Sequence, residues 1–395
     1  MLMYCAVLIF FNHNQLTIKK RITHHLQNLP GWHTKRKIVV FESDDWGSIR
    51  MPSRETYGYL MREGYRPDRD PYLKYDGLAG EADLLSLFET LSKFKDKNNK
   101  PACLTANVVV ANPDFKKIGK NDFEAYYFEP FTDTLKHQPG CSKAFALWKQ
   151  GMEKGIFYPQ FHGREHLNVD RWLLGLKEKN PLLHKAFDLD MISLGAGSSA
   201  LSYDYMEALD FFSCQEKTRK ADSIEQGLDL FKDIFKTGSR SFIANCYIWH
   251  RNLHRSLKNR GVQYIQGIPF QYEPVLSDGK HHHKRIFHYT GQTNDCNQIY
   301  IVRNAHFEPS QTPNKNSVDE CLKRVDIAFK MRKPAVIGSH RLNYIGRIDP
   351  SNREKNLKLF RELLEKMTRR WPDIEFMTTE QLGDLIWDSQ MHSVN

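Results

Sequence analysis

Residues 37–47 read Lys-Ile-Val-Val-Phe-Glu-Ser-Asp-Asp-Trp-Gly, an apolar run that ends in two adjacent carboxylates. The β-branched and aromatic residues at 37–41 favour a buried strand. In parallel α/β folds, ligands bind at the carboxyl ends of the strands, so polar residues directly after a strand are candidate site residues. Asp44 and Asp45 are therefore the first candidates in this chain.

Downstream of this run, short β-rich stretches alternate with amphipathic helical patterns. Apolar periodicity predicts helices over 81–95, 145–153 and 224–235. Strands are predicted over 102–110, 156–161, 241–246, 263–265 and 335–339. Capping-box spacing predicts further helix starts at Ser317, Ser351 and Thr378. Strands separated by helices of this length indicate parallel βαβ units, and hence a barrel or a doubly wound sheet.

The chain of 395 residues contains no internal repeat and no Pro/Ser-rich linker, so we expect one elaborated domain. Its predicted boundaries are an N-terminal extension over 1–36, a folded domain over 37–388 and a tail over 389–395. Three stretches, 50–80, 112–140 and 269–317, are predicted as irregular insertions.

The composition is that of an ordinary soluble globular protein with a basic bias. The 57 Lys and Arg residues exceed the 47 Asp and Glu residues, which gives a net charge of +10. No stretch offers the roughly 18 unbroken apolar residues that a spanning helix needs, which excludes a polytopic membrane protein. Apolar residues at 40% and charged residues at 26% exclude wholesale disorder.

The seven cysteines and the N-terminus indicate the compartment. The cysteines are scattered and form no CxxC motif, which argues against a disulfide framework and a thiolate zinc site. The apolar run 1–11 lacks a basic flank and a cleavage site, and it is too short to span a bilayer. We expect a cytoplasmic protein. A hydrophobic leader, with membrane association or export, is the alternative to an over-extended start.

Two histidines follow the strand predicted at 156–161, in the sequence His162-Gly-Arg-Glu-His166. A spacing of four places both imidazoles on one side of a helical turn, where they can bind one cation. Two His and one Asp form a three-ligand site with an open position for water, which is typical of catalytic metals. One carboxylate of the pair Asp44–Asp45 would ligate the metal and the other would stay free as a base.

The order of these motifs resembles that of the polysaccharide deacetylases of carbohydrate esterase family 4, also called the nodulation-type deacetylase homology domain. Five segments in the family's order carry the resemblance: Ser43-Asp44-Asp45-Trp46-Gly47, His162-Gly-Arg-Glu-His166, Phe242-Ile-Ala-Asn-Cys-Tyr247, Gly261-Val-Gln-Tyr-Ile265 and Ile337-Gly-Ser-His340. Residues 376–382 resemble the family's usual ending. The resemblance runs over about 37–386 and implies a single-domain incomplete (β/α) barrel of the glycoside hydrolase/deacetylase type, with long loop insertions.

The resemblance also implies a reaction and its residues. It implies three ligands for a divalent metal, most often zinc: Asp45, His162 and His166. Asp44 would be the general base, His340 the general acid, and the backbone amide of Tyr247 would hold the oxyanion. The implied partner is an acetylated oligo- or polysaccharide, which is hydrolysed to acetate and a free amino sugar. Nucleic acid is not an expected partner, and a membrane is not required.

Two positions depart from the family's pattern. The arginine that orients the base is absent, because Ile243 or Ala244 stands in its place. Three other arginines are candidate substitutes: Arg164, Arg240 and Arg341. The aspartate that supports the acid histidine is also missing from the fourth motif, and Glu273 is a distant candidate for its role.

The first competing hypothesis is a zinc metallopeptidase. His162-x-x-Glu165-His166 fits the inverted zinc-protease motif, in which a helix presents two His ligands and the Glu is the base. Against this hypothesis, Gly163 inside such a helix would cost about 1 kcal/mol relative to Ala. The hypothesis also leaves the acidic pair and His340 unexplained.

The second competing hypothesis is a binding module, either an inactive glycan-binding barrel or a basic nucleic-acid binder. The net charge favours acidic partners, but no recognised nucleic-acid motif accompanies it. The consecutive histidines 281–283 point in different directions and are not expected to chelate one metal. Aromatic residues that adjoin the site could stack on sugar rings: Trp46, Tyr247 and Trp249. Three polar residues stay without an assigned role: Asn304, His306 and Glu308.

Overall fold

The structure is a computed structural model that describes residues 22–195, 205–277, 280–313 and 316–392. Its strands are β1 (Lys37–Trp46), β2 (Leu104–Val108), β3 (Ala111–Pro113), β4 (Phe128–Pro130), β5 (Phe157–Phe161), β6 (Ser241–Ile243), β7 (Tyr264–Gly267), β8 (Phe270–Ser277), β9 (Lys280–Phe287), β10 (Ile299–Val302), β11 (Ala305–His306), β12 (Ala335–His340) and β13 (Ile374–Met377). The N-terminal apolar run 1–11 lies outside the described residues.

A nine-stranded sheet forms the centre of the molecule. Its strand order is β10-β7-β6-β5-β2-β1-β12-β11, and β13 pairs with the beginning of β1. Every neighbouring pair in this sheet is parallel. The α/β class predicted from the alternating pattern is therefore confirmed. Two antiparallel hairpins, β3–β4 and β8–β9, lie outside this sheet.

The two edge strands of the sheet, β10 and β11, are joined in the chain by only Arg303 and Asn304. The Arg303 amide donates to the Gly267 carbonyl oxygen, and the Asn304 amide donates to that of Val336. The sheet must therefore curl until its edges meet. No strand pairing joins β10 to β11 among the described residues, so the barrel is open at this seam.

Helices connect successive strands and cover the sheet. They comprise Arg54–Arg62, Pro71–Tyr75, Glu81–Lys93, Phe115–Lys120, Phe131–His137, Ala144–Glu153, Val169–Lys177, Pro181–Phe187, Cys214–Phe235, Leu253–Asn259, Ser317–Lys330, Pro350–Arg370 and Thr379–Met391. None of the helices in the described part of the chain combines the length and apolarity that crossing a bilayer requires.

Of the three helix starts predicted from capping-box spacing, one has the predicted capping box and two are capped by neighbouring residues. Thr378 and Gln381 form the predicted capping box. The helices Ser317–Lys330 and Pro350–Arg370 are capped instead by Asn316 and Asp349, one and two residues before the predicted serines. Both caps accept a hydrogen bond from a first-turn amide, which is the same physical requirement that the serines were expected to meet.

The three predicted insertions are more ordered than expected. The stretch 50–80 contains two helices, 112–140 contains β4, most of β3 and two helices, and 269–317 contains the β8–β9 hairpin and the two edge strands of the sheet, β10 and β11. Most residues of β9 are exposed and several are basic, so the strand lacks the alternation of apolar and polar residues by which a half-buried strand is recognised. The boundaries 1–36, 37–388 and 389–395 stay predictions.

Candidate active site

The two carboxylates at the end of β1 line one cavity of about 320 Å³ at the carboxyl ends of the parallel strands. Neighbouring residues of a regular strand would face opposite sides. Here the pairing of β1 with β2 shifts register between Ser43 and Trp46, and Asp45 adopts a positive φ of 72°. This local bulge turns Asp45 to the same side as Asp44. A left-handed conformation at a non-glycine residue is uncommon and clusters at functional sites.

Asp45 approaches two histidines with a single oxygen. Its Oδ1 lies 3.4 Å from Nε2 of His162 and 3.5 Å from Nε2 of His166. All three side chains are buried. Ligand atoms that are each about 2.0–2.1 Å from a tetrahedral zinc ion lie about 3.3–3.5 Å from one another. The donor set and its spacing therefore fit a divalent metal such as zinc.

The ring nitrogens of both histidines are prepared for ligation. Nδ1 of His162 lies 2.9 Å from the Ile243 carbonyl oxygen, which can only accept, so Nδ1 carries the proton and the Nε2 lone pair faces Asp45. Burial lowers the pKa of His166 to about 3 despite the opposing charge of Asp45. This imidazole is therefore neutral at pH 7, which is the form that binds metals.

The two histidines lie on an irregular loop between β5 and the helix Val169–Lys177, not on the predicted helical turn. Gly163 has a φ of 105°, and a Cβ there would lie 3.0 Å from the side-chain oxygen of Asn245. Only glycine adopts this backbone conformation readily. The loop brings both imidazoles to Asp45 without a helix.

Glu165 does not occupy the position of a peptidase base. Its carboxylate accepts hydrogen bonds from Arg164 at 2.6 and 2.9 Å and from the Ser223 hydroxyl at 3.2 Å. It is not part of the cavity lining. Because the motif lacks both a helix and a free glutamate, the geometry does not support the metallopeptidase hypothesis.

Asp44 belongs to a buried polar cluster. Arg303 donates to both of its oxygens at 2.6 and 2.7 Å, and Asn107 donates to Oδ1 at 2.8 Å. Nε of Arg303 also donates to Glu42, two residues earlier on the same face of β1. Burial by itself would raise the pKa of Asp44, but the Arg303 charge outweighs it and holds the pKa well below its ordinary value.

Arg303 is thus the cation beside Asp44. The three arginines that the sequence suggested for this role form ion pairs with other carboxylates. Arg164 pairs with Glu165, Arg240 with Glu380 and Asp384, and Arg341 with Asp76. Motif matching missed Arg303 because it lies at the barrel seam, beyond the third motif. The sequence did contain a signal for such a cation. Glu42 and Asp44 are two residues apart on β1 and therefore share one buried face, and buried carboxylates need a positive charge nearby.

His340, at the end of β12, lies between two carboxylates. Its Nδ1 is 2.6 Å from Oε1 of Glu308, and its Nε2 is 3.9 Å from Oδ2 of Asp44. Burial by itself lowers the pKa of His340, but Glu308 and then Asp44 raise it to about 9. Glu308 therefore supports His340. The suggested Glu273 is bonded to Arg251 instead, because β8 belongs to a separate hairpin.

Tyr247 lies beside the acidic pair in a short turn after β6. Its backbone amide donates to the Ala244 carbonyl oxygen at 3.1 Å. Its hydroxyl accepts from Arg303 at 3.3 Å, and burial foremost raises the pKa of this phenol, which keeps its proton available to donate. The side chains of Trp46 and Trp249 are buried in the core, so neither ring is exposed for stacking on a sugar.

A second cavity of about 350 Å³ adjoins the first and shares Tyr247 and His340 with it. Its lining includes the three polar residues that the sequence left without a role: Asn304, His306 and Glu308. Asn304 also binds the Pro334 carbonyl oxygen through its side chain, which gives it a structural part in the seam. Tyr247 and His340 thus lie at the boundary that the two cavities share.

No family model matches the chain, and no curated protein matches it. A solved structure assigned as a polysaccharide deacetylase from Mycobacterium smegmatis aligns at 9% identity and a TM-score of 0.45, over 91% of this chain and 94% of its own. One assigned as a glycoside hydrolase/deacetylase from Parabacteroides distasonis aligns at 9% identity and a TM-score of 0.48, over 90% and 73% of the two chains. A 4-α-glucanotransferase from Thermococcus litoralis aligns at 9% and 0.43 over 88% of this chain, which spans only 40% of the glucanotransferase's length. Structural similarity at this level concerns the fold and not the reaction.

Proposed function

We propose that this protein is a metal-dependent hydrolase that removes acetyl groups from an acetylated carbohydrate. The observation that carries the proposal is the position of one oxygen of Asp45, 3.4 and 3.5 Å from two imidazole nitrogens. Asp44 and His340 line the same cavity. Three candidate ligands beside a candidate base and a candidate acid are the parts that metal-assisted hydrolysis requires.

The proposed ligands are Asp45, His162 and His166, and zinc is the metal that their donor atoms favour. When bound, such an ion polarises an acyl carbonyl group and lowers the pKa of water from about 15.7 towards 7. The chain's own contribution is to hold the three donor atoms in place. His162 is held through the Ile243 carbonyl oxygen, and Arg50 lies 3.5 Å from the second oxygen of Asp45.

Asp44 is the proposed acceptor of the proton from the attacking water. Its Oδ1 already accepts from Asn107 and Arg303, whereas Oδ2 accepts from Arg303 alone among the hydrogen bonds of the described residues. A carboxylate oxygen has two lone pairs, so Oδ2 retains one for the proton. This oxygen also faces His340.

His340 is the proposed general acid. The bond to Glu308 engages Nδ1 and leaves Nε2, which faces Asp44, to give its proton to the leaving amine. With a pKa of about 9, the imidazolium form is present at neutral pH. Hydrolysis of an N-acetyl group then yields acetate and a free amine, with the proton from water transferred to Asp44.

Tyr247 is proposed to hold the oxyanion. Its amide must share or leave the bond to Ala244 to do so, because that bond occupies the N–H in this structure. The phenol hydroxyl of the same residue is a second donor. The carbohydrate substrate rests on the motif resemblance, and the aromatic side chains that line the cavity are Tyr72 and Tyr247.

Elemental analysis combined with acetate release from a panel of N- and O-acetylated oligosaccharides tests the proposal. The wild-type protein is expected to contain metal and release acetate. Asp44→Asn is expected to keep the metal but to lower the rate by about 10²–10⁴-fold, the usual contribution of a general base. Asp45→Asn is expected to lose the ion that Asp45, His162 and His166 would hold, and to lose activity with it.

The matched control is Asp229→Asn, which removes a carboxylate that is 63% exposed and outside the cavity lining. It should change neither the metal content nor the rate. Metal-replete wild-type protein that releases no acetate from any member of the panel would overturn the proposal. Retained binding of the oligosaccharide in that experiment would favour the inactive glycan-binding barrel.

A further inference from the structure

A second group of potential metal ligands lies outside the cavity lined by Asp45. Nε2 of His281 is 2.8 Å from Oδ1 of Asp210, and Nε2 of His283 is 3.2 Å from Oδ2 of the same carboxylate. One donor atom from each of these three residues lies within 4.8 Å of the others. None of the three belongs to either cavity described above.

The β8–β9 hairpin explains how the two histidines meet. Side chains two residues apart on a strand point to the same face. His281 and His283 on β9 therefore both reach Asp210, whereas alternation turns His282 to the opposite face. The three consecutive histidines thus do not all point the same way, as expected, but His281 and His283 share one face because the segment is an extended strand and not a loop.

The surroundings of Asp210 favour a cation. Its side chain is fully buried, and a buried carboxylate needs a positive partner. The His281 ring packs against the Phe212 ring at a centroid distance of 4.1 Å, which restricts its rotation. The side chain of His283 is 30% exposed, so an ion can enter from solvent.

We propose that Asp210, His281 and His283 bind a second divalent transition metal ion with the ligand preferences of zinc. Two imidazoles and a carboxylate form a three-ligand zinc site with a fourth position for water. The two imidazole nitrogens lie 2.8 and 3.2 Å from different oxygens of Asp210, and one donor atom from each residue lies within 4.8 Å of the others, a range that includes the roughly 3.3 Å between ligand atoms on a tetrahedral ion.

The competing arrangement is a pair of protonated histidines on one carboxylate. The two ring centroids are only 4.8 Å apart, so two imidazolium charges would repel each other at this distance. A divalent ion bound by two neutral imidazoles removes that repulsion. It also links β9 to a segment 71 residues earlier in the chain, whose Met206 lines the active-site cavity.

Zinc binding by the full chain carrying Asp45→Asn tests this proposal independently of hydrolysis. This change removes a ligand of the first site, and we expect one zinc ion per chain to remain after dialysis. Adding His281→Gln together with His283→Gln is expected to abolish that binding. The matched control, His282→Gln on the opposite face of the same strand, is expected to leave it unchanged.

Thermal unfolding gives the second measurement. Zinc should raise the unfolding midpoint of the Asp45→Asn protein and of its His282→Gln derivative, but not that of the derivative lacking His281 and His283. If Asp45→Asn does not fold, His166→Gln serves as the background. A folded background protein that binds no zinc, or equal zinc binding after loss of both histidines, would overturn the second site. Two bound ions in the background protein would instead contradict the first site.

Discussion

Arg303 holds Asp44 in one orientation and also lowers its basicity, since both carboxylate oxygens accept its hydrogen bonds. Glu308 has the opposite effect on His340, whose pKa rises to about 9. Titratable neighbours whose environments separate their pKa values in this way are typical of an acid and a base that act in one reaction. The geometry therefore favours Asp44 as the ionised partner and His340 as the protonated one.

Glu308→Gln is expected to move the alkaline limb of the pH–rate profile to lower pH. His340 acts as an acid only below its pKa, so activity is lost as the pH rises through about 9. Removal of the Glu308 charge lowers that pKa, and the limb should shift downwards by about 1–3 pH units. The measurement is kcat/KM against pH for acetate release.

Glu273→Gln is the control for this shift, because Glu273 is bonded to Arg251 and not to His340. Its profile should keep the wild-type limb. An unmoved limb in the Glu308→Gln protein would show that Glu308 does not set the acid's pKa.

Strand β12 makes room for Arg303 by carrying glycine at position 338. A Cβ there would lie 2.7 Å from Cδ of Arg303. The guanidinium group cannot simply move aside, because Glu42 and Asp44 hold it from the other side. The small residue on β12 is thus what allows a side chain from the barrel seam to reach β1.

Gly338→Ala is expected to lower kcat for acetate release by about tenfold or more, since small displacements of catalytic groups are costly. Metal content should be retained, because the three atoms nearest to a Cβ at position 338 all belong to Arg303 and none to a proposed ligand. Gly267→Ala is the matched control, as a Cβ there meets no atom within 4 Å. Equal kcat values for the two variants would mean that the position of Arg303 does not matter to the reaction.

The molecule also relies on buried charge to join its barrel to the long insertion after β1. Arg341 and Asp76 are both fully buried, and the guanidinium donates to the carboxylate at 2.9 and 3.0 Å. A further donor of Arg341 binds the Ser48 carbonyl oxygen. Arg341 follows His340 directly, so its ion pair with Asp76 fixes the end of β12 that carries the proposed general acid.

Arg341→Met is expected to lower the free energy of unfolding by about 3–5 kcal/mol, because it removes both hydrogen bonds that Arg341 donates to the buried Asp76 carboxylate and leaves it with the longer Arg50 contact of 3.7 Å. Urea denaturation measures this loss. Arg260→Met, which breaks exposed pairs with Glu225 and Asp229, should cost no more than about 1 kcal/mol. Comparable losses in the two variants would contradict a special role for the buried pair.

Local patterns were enough to predict the alternation of strands and helices, and to mark the polar residues at the ends of β1 and β12 and directly after β5. Parallel strands bring their carboxyl ends together, so residues at those ends become neighbours whatever their separation in the chain. The same reasoning could not supply the partners of Asp44 and His340. Arg303 is 259 residues from Asp44, and it reaches that carboxylate only because the edges of the sheet meet at the seam. The long-range curling of the sheet, and not any local pattern, places it there.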